Sequence, residues 1–150
     1  MAGLGYTYQS STPLVLIGSK SGTTRTSVAL TDAYDVANKT KIFVTGGMSK
    51  VNFSILYTMG AAETSNSLEI RIRTSADGTN FYRIPNESVS GGTSTLTLRE
   101  FTWVGVNAAA SSISLPLDVQ DRHMEISVKE TGVASNFGTI YVEATLSGGK

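Results

Sequence analysis

The sequence predicts an all-β protein: a two-sheet antiparallel β-sandwich, jelly-roll-like, with an extended N-terminal arm. Three observations carry that expectation. Apolar and charged residues alternate from Ser67 to Ile84, and the run breaks at Asp77-Gly78. Apolar stretches of strand length recur at roughly ten-residue spacing between Gly, Asn, Asp and Thr punctuation. Serine and threonine fill about a quarter of the chain, a bias that suits exposed strand faces and loops better than helices.

The alternating run is the clearest element. Leu68, Ile70 and Ile72 share one side while Glu69, Arg71 and Arg73 share the other, as the two-residue period of a strand requires. One face is then expected to be wet, and Asp77-Gly78 to supply the positive φ of a tight hairpin turn. Before this run come apolar stretches at Leu14 to Ile17, Ser27 to Leu30, Lys41 to Val44 and Lys50 to Met59. In the longest, Val51, Phe53, Ile55 and Tyr57 alternate with Asn52, Ser54, Leu56 and Thr58, one packing face against a mostly polar one. Pro85 to Ser94, with Gly91-Gly92, reads as turn-rich. Leu96 and Leu98 then give way to Phe101 and Trp103, a change of face that places a bulge near Arg99. A small-residue loop from Asn107 to Ser112 leads to Ile113, Leu115 and Leu117, where Pro116 places the segment at a sheet edge. Two amphipathic strands close the domain, built on Met124, Ile126 and Val128 and on Ile140, Val142 and Ala144. Leu30 to Asn38 offers one competing helical turn, too short to set the class.

A chain of 150 residues is most simply one domain, able to bury roughly 70% of the surface its unfolded form exposes. Residues 1–12 read as an extended or flexible arm, 13–146 as a single sandwich domain and 147–150 as a flexible tail. With no cysteine, packing must hold the fold, and thiolate metal sites are excluded. Lysine plus arginine balance aspartate plus glutamate at 12 each, and no basic run points to nucleic acid. The first residues lack the basic start and long apolar run of a secretory signal, and no stretch is long enough to span a bilayer.

The search for chemistry finds no catalytic motif. His123 stands in Asp121-Arg122-His123-Met124-Glu125, but it alternates out of phase with Met124 and Ile126, which makes it an edge or exposed residue beside Glu125. Asp118, Asp121 and Glu125 could in principle bind calcium or form a glycosidase pair, yet neither motif is complete. One histidine without cysteines does not make a zinc site. Asp77-Gly78-Thr79-Asn80 is a turn before it is a calcium loop. No cofactor is implied, and the glycine pairs at 46–47, 91–92 and 148–149 lack the context of a phosphate cradle. Trp103, Phe101, Phe81, Tyr82 and Tyr57 could form a sugar platform, although Phe101 and Trp103 fall on the apolar phase of their strand. Leu4, Tyr6 and Tyr8 alternate in a segment with no evident place in the core, as anchors presented to a neighbouring subunit would.

Leu68-Glu69-Ile70-Arg71, Ser75-Ala76-Asp77-Gly78-Thr79-Asn80-Phe81-Tyr82, Ile126 to Gly132 and Asn136 to Val142 together resemble small virion proteins of tailed bacteriophages. Head decoration, or cement, proteins are the closest subset. The resemblance covers about the last 80 residues. It implies a non-enzymatic protein made in the host cytoplasm and added to the capsid exterior in many copies, often as homotrimers, with the major capsid protein as partner. Leu4, Tyr6 and Tyr8 would then contact a capsid subunit or an adjacent copy. The alternative is a carbohydrate-binding or adaptor sandwich module of a phage tail or baseplate, which would expose Trp103 or a tyrosine pair to a glycan.

Overall fold

The computed structural model describes residues 12–34, 38–98, 100–104 and 110–148. Those residues form fourteen strands and no helix. In chain order they are β1 (Leu14–Ile17), β2 (Ser19–Ser21), β3 (Thr24–Thr26), β4 (Val28–Ala29), β5 (Thr40–Val44), β6 (Lys50–Thr58) and β7 (Ser67–Ser75). They continue as β8 (Tyr82–Arg83), β9 (Pro85–Ser90), β10 (Thr93–Leu98), β11 (Glu100–Val104), β12 (Ala110–Asp118), β13 (His123–Thr131) and β14 (Thr139–Ser147). One five-stranded sheet has the order β1-β14-β6-β12, with β4 also on β14; the other has the order β11-β7-β13-β5, with β8 also on β7.

The long strands pair in a nested way. β1 meets β14, β5 meets β13, β6 meets β12 and β7 meets β11, all antiparallel. The chain thus runs as one long hairpin that folds over itself, and the cross-links β14 to β6 and β13 to β7 complete the two sheets. Alternation explains why the sheets stack. Val51, Phe53, Ile55 and Tyr57 of β6, with Ile140, Val142 and Ala144 of β14, face Leu68, Ile70 and Ile72 of β7 and Met124, Ile126 and Val128 of β13; all are buried. Phe43 of β5 packs edge-on against Phe53 at 6.0 Å between ring centres, closing one side of the core. Each large buried side chain of this kind contributes about 1.5–3 kcal/mol of transfer free energy.

The sequence pattern departs from the structure in instructive places. The Asp77-Gly78 turn does have its positive φ, at Gly78, but it is not a tight two-residue hairpin. β7 meets β8 only at Arg73↔Arg83 and Thr74↔Tyr82, and the intervening loop is built on the Asp77 side chain. Its Oδ1 accepts the backbone N–H of Thr79 and of Asn80, each at 2.8 Å, and the Ser75 hydroxyl at 2.9 Å. Pro85 to Ser94 is not simply turn: β9 and β10 pair from Pro85↔Leu98 to Ser90↔Thr93 around Gly91-Gly92. Of the expected loop from Asn107 to Ser112, residues 107–109 lie outside the described residues and Ala110 to Ser112 already belong to β12. Asp35–Ala37 within the competing helical turn, and Arg99 at the expected bulge, lie outside the described residues. Pro116 does sit on an edge strand, because among the described residues β12 ends its sheet and pairs only with β6.

Candidate functional site

The outer face of the β1-β14-β6-β12 sheet carries a depression. Register puts Tyr141, Leu56 and Ser112 in one row across β14, β6 and β12, and Glu143, Ser54 and Ser114 in the next. Outward-facing positions of a strand are ordinarily solvated. Here Tyr141 and Glu143 are buried, because the β2–β3 hairpin folds back over β14. Gly18 makes that fold-back possible: with φ +90° it adopts the left-handed region, and a Cβ there would lie 2.5 Å from the Thr26 carbonyl oxygen and 2.8 Å from the Tyr141 ring.

Arg25 and Lys20 on the hairpin then reach the carboxylate beneath. Arg25 Nη2 lies 2.7 Å from Glu143 Oε1 and Lys20 Nζ 3.5 Å from Oε2, while the Tyr141 hydroxyl donates to Oε2 at 2.8 Å. Burial pushes the Glu143 carboxyl up, but the hydrogen bonds from Tyr141 and Arg25 and the charges of Arg25 and Lys20 outweigh it and hold the group below the usual carboxylate range. Burial and then Glu143 raise the Tyr141 hydroxyl. The result is a depression of about 370 Å³ lined by the Arg25–Glu143 pair, by Ile55, Leu56 and Ile113, and by Ser54, Ser112 and Ser114. Such a lining offers donors and acceptors at fixed positions to a polar partner.

The outer face of the other sheet is a half-exposed ion-pair ladder. Arg73 grips Glu125 through Nε at 2.8 Å and Nη2 at 2.7 Å, and the Ser127 hydroxyl donates to the same carboxylate at 2.9 Å. Burial raises the Glu125 carboxyl, and the Arg73 and Ser127 hydrogen bonds with the Arg73 and Arg71 charges more than reverse it. Tyr34 covers Arg71, whose guanidinium lies 4.1 Å from the ring centre. Burial, with Arg73 next, lowers the Arg71 guanidinium from its ordinary value. Lys129 pairs with Glu69 at 3.0 Å.

The residues singled out for catalysis are not brought together. Asp118 ends β12 opposite Lys50 in one sheet, whereas Glu125 sits in the other, fixed by Arg73. Asp121 lies in the connection between β12 and β13, where its Oδ1 accepts the Arg122 backbone N–H at 2.8 Å. His123, half-buried beside Gly78, opens β13 between Val44 and Ser75. Among the described residues no group of His, Cys, Asp and Glu could hold a metal ion.

The aromatic residues also divide. Trp103 and Phe101 are half-buried against the core, and Trp103 meets Tyr57 edge-on at 5.6 Å. Tyr82 is exposed, and Phe81 lies 5.9 Å from the Arg73 guanidinium. Leu4, Tyr6 and Tyr8 lie outside the described residues.

Besides Glu143, two further buried carboxylates escaped the sequence reading. Glu130 follows Met124, Ile126 and Val128 in phase, so alternation alone places it inside. Glu63 lies between β6 and β7 and accepts the backbone N–H groups of Ala134, Ser135 and Asn136 at 2.9, 2.8 and 2.8 Å. No signal in the sequence marks that clamp. No protein-family model matches this chain, and a search of curated proteins returns no relative.

Proposed function

We propose that this chain is a non-enzymatic virion structural protein that binds and stabilises a bacteriophage capsid shell from outside, a decoration or cement protein. The observation that carries the reading is the nested pairing of β1 with β14, β5 with β13, β6 with β12 and β7 with β11. We read this order as a jelly roll, an architecture that recurs in capsid and lectin domains. The disposition of charge supports a scaffold as well. Glu63, Asp77, Glu125, Glu130 and Glu143 are each engaged by donors of the protein itself, so their hydrogen-bonding capacity holds loops and sheets in place. The partner is then the major capsid protein, with no cofactor, nucleic acid or membrane involved. The protein is made in the host cytoplasm and resides on the capsid exterior, and the resemblance to decoration proteins adds the expectation of homotrimers. The arm carrying Leu4, Tyr6 and Tyr8 supplies anchors to a capsid subunit or an adjacent copy.

Cosedimentation with undecorated capsids tests this reading. Saturable pelleting at fixed stoichiometry, weakened by deletion of residues 1–12, is the expected result. A protein that stays in the supernatant at saturating concentration overturns it.

The depression beside Arg25 and Glu143 favours a second reading, a carbohydrate-binding or adaptor module of a tail or baseplate. Its serine hydroxyls and charged wall suit a polar ligand of about 370 Å³, although the one tyrosine lining it, Tyr141, is buried and offers no open ring for stacking. Glycan screening of the wild type and of Ser54→Leu decides: binding that the substitution abolishes would establish this alternative.

A further inference from the structure

The β2–β3 hairpin is joined to the sandwich at two neighbouring points. Before it, Ile17 of β1 pairs with Val142; after it, Val28 of β4 pairs with Ile140, two residues along the same strand β14. Gly18 and Ser27 are the single residues between these anchors and the hairpin. Gly18, at φ +90°, has backbone freedom that a Cβ would remove. The hairpin therefore hangs from one strand by two short hinges.

Its attachment to the face it covers is polar. β2 and β3 form a two-stranded sheet of their own, their sequences are Ser-Lys-Ser and Thr-Arg-Thr, and residues 19–26 are all exposed. Two such strands are marginal in water by themselves, and segments with few buried apolar contacts are the first to open. The hairpin is closed by two cations on one carboxylate, Arg25 and Lys20 on Glu143, with the Arg25 guanidinium also 5.6 Å from the Tyr141 ring centre. The side chains of Arg25 and Lys20 are 47% and 28% exposed, so salt ions reach them and weaken the attraction. Glu143 regains water when the hairpin lifts, which offsets the lost pairs.

We propose that the β2–β3 hairpin is a flap that swings on Gly18 and Ser27, is latched shut by the Arg25 and Lys20 ion pairs with Glu143, and gates the depression on this face. In the closed form the Tyr141 ring is hidden. The open form bares it in one row with Leu56 and Ser112, supplying the stacking face that the closed depression lacks. The flap follows from its hinges and latch, whether or not the depression takes a glycan.

Nitration of the wild-type protein with tetranitromethane, the modified tyrosines being located by peptide mass spectrometry, tests the flap without altering it. Tyr57 and Tyr141 are both 1% exposed and Tyr82 is 69% exposed, so one reaction contains its own closed and open references. Tyr57 lies in the core and reacts only when the sandwich opens. Tyr141 should react at least about tenfold faster than Tyr57, as a local opening requires, and more slowly than Tyr82. Raising sodium chloride to about 0.5 M and the substitution Arg25→Gln should each speed Tyr141 further and leave Tyr57 unchanged. Reaction of Tyr141 no faster than that of Tyr57 would overturn the proposal, and so would a fast reaction indifferent to both salt and Arg25→Gln. If Arg25→Gln speeds Tyr57 as well, the substitution has loosened the whole fold, and the salt series on the wild type decides by the same criteria.

Discussion

The Tyr57 hydroxyl donates a hydrogen bond to Glu130 Oε1 across the sandwich, tying β6 of one sheet to β13 of the other. Glu130 is fully buried and also accepts Asn66 Nδ2 at 3.1 Å and the Gly138 N–H at 2.5 Å. Burial, followed by the Glu130 interaction, raises the Tyr57 hydroxyl above its ordinary range, so it remains a donor at neutral and moderately alkaline pH.

Losing one partner of such a group leaves the other buried and underpaired, which costs about 1–3 kcal/mol. Tyr57→Phe should therefore lower the urea midpoint without changing the slope. Glu130→Gln should do the same, because one of the two carboxylate oxygens that now accept from Tyr57, Asn66 and the Gly138 N–H is replaced by a donor. An unchanged midpoint in both variants would remove Glu130 as the tie between sheets.

Gly60 is required by space. A Cβ at this position would lie 1.9 Å from the Asn136 carbonyl oxygen, and backbone cannot yield as a side-chain tip does. Gly60→Ala must push apart the two loops that Glu63 clamps, at an expected cost of about 2 kcal/mol or more. Gly22, at the β2–β3 turn, provides the contrast: its φ is +58° and nothing lies within 4 Å of a Cβ there. Gly22→Ala should cost about 1 kcal/mol through backbone strain alone. Paired urea titrations that rank the two the other way would contradict this account.

Acid should loosen the same loop clamp. The backbone N–H groups of Ala134, Asn136 and Ser135 lower the Glu63 carboxyl from 4.5 to about 2. A group depressed in the folded state contributes stability above its unfolded value, and that contribution disappears as pH falls through the folded one. The loss should run from about pH 4.5 down to about 2, with Glu125 and Glu143 adding to it because both are also held low. Glu63→Gln should be less stable than wild type at neutral pH and should flatten the acid limb. Parallel pH profiles for the two proteins would exclude Glu63 as a contributor.

The fold class was legible because alternation reports which side of a strand is wet, and β6, β7, β13 and β14 obey it on their core side. Their outer sides were less legible. Glu125, Ser127, Tyr141 and Glu143 occupy outward positions yet are buried, because Arg71 and Arg73 lie on Glu125 and Ser127 and the β2–β3 hairpin covers Tyr141 and Glu143. The short polar strands Ser19–Ser21 and Thr24–Thr26 contain no apolar residue, so no periodicity could reveal them. Strand order was equally hidden: the nested pairing joins residues as distant as Leu14 and Ala144. The Arg25–Glu143 wall, separated by 118 positions, exists only after that pairing has formed.

Trp103 offers the last discrimination, between core and binding surface. Its ring meets Tyr57 at 61°, an edge-on contact worth about 0.5–1.5 kcal/mol beyond burial, and Tyr57 in turn holds Glu130. Trp103→Ala should therefore destabilise the fold by about 2–3 kcal/mol, below the full core range because the ring is only half-buried. Trp103→Phe should recover most of that loss by keeping an aromatic edge on Tyr57. Tryptophan emission in the native state should be blue-shifted from that of the unfolded chain and unmoved by a glycan panel. A sugar platform predicts the opposite pattern: glycan-dependent emission, with binding lost and the urea midpoint retained in Trp103→Ala.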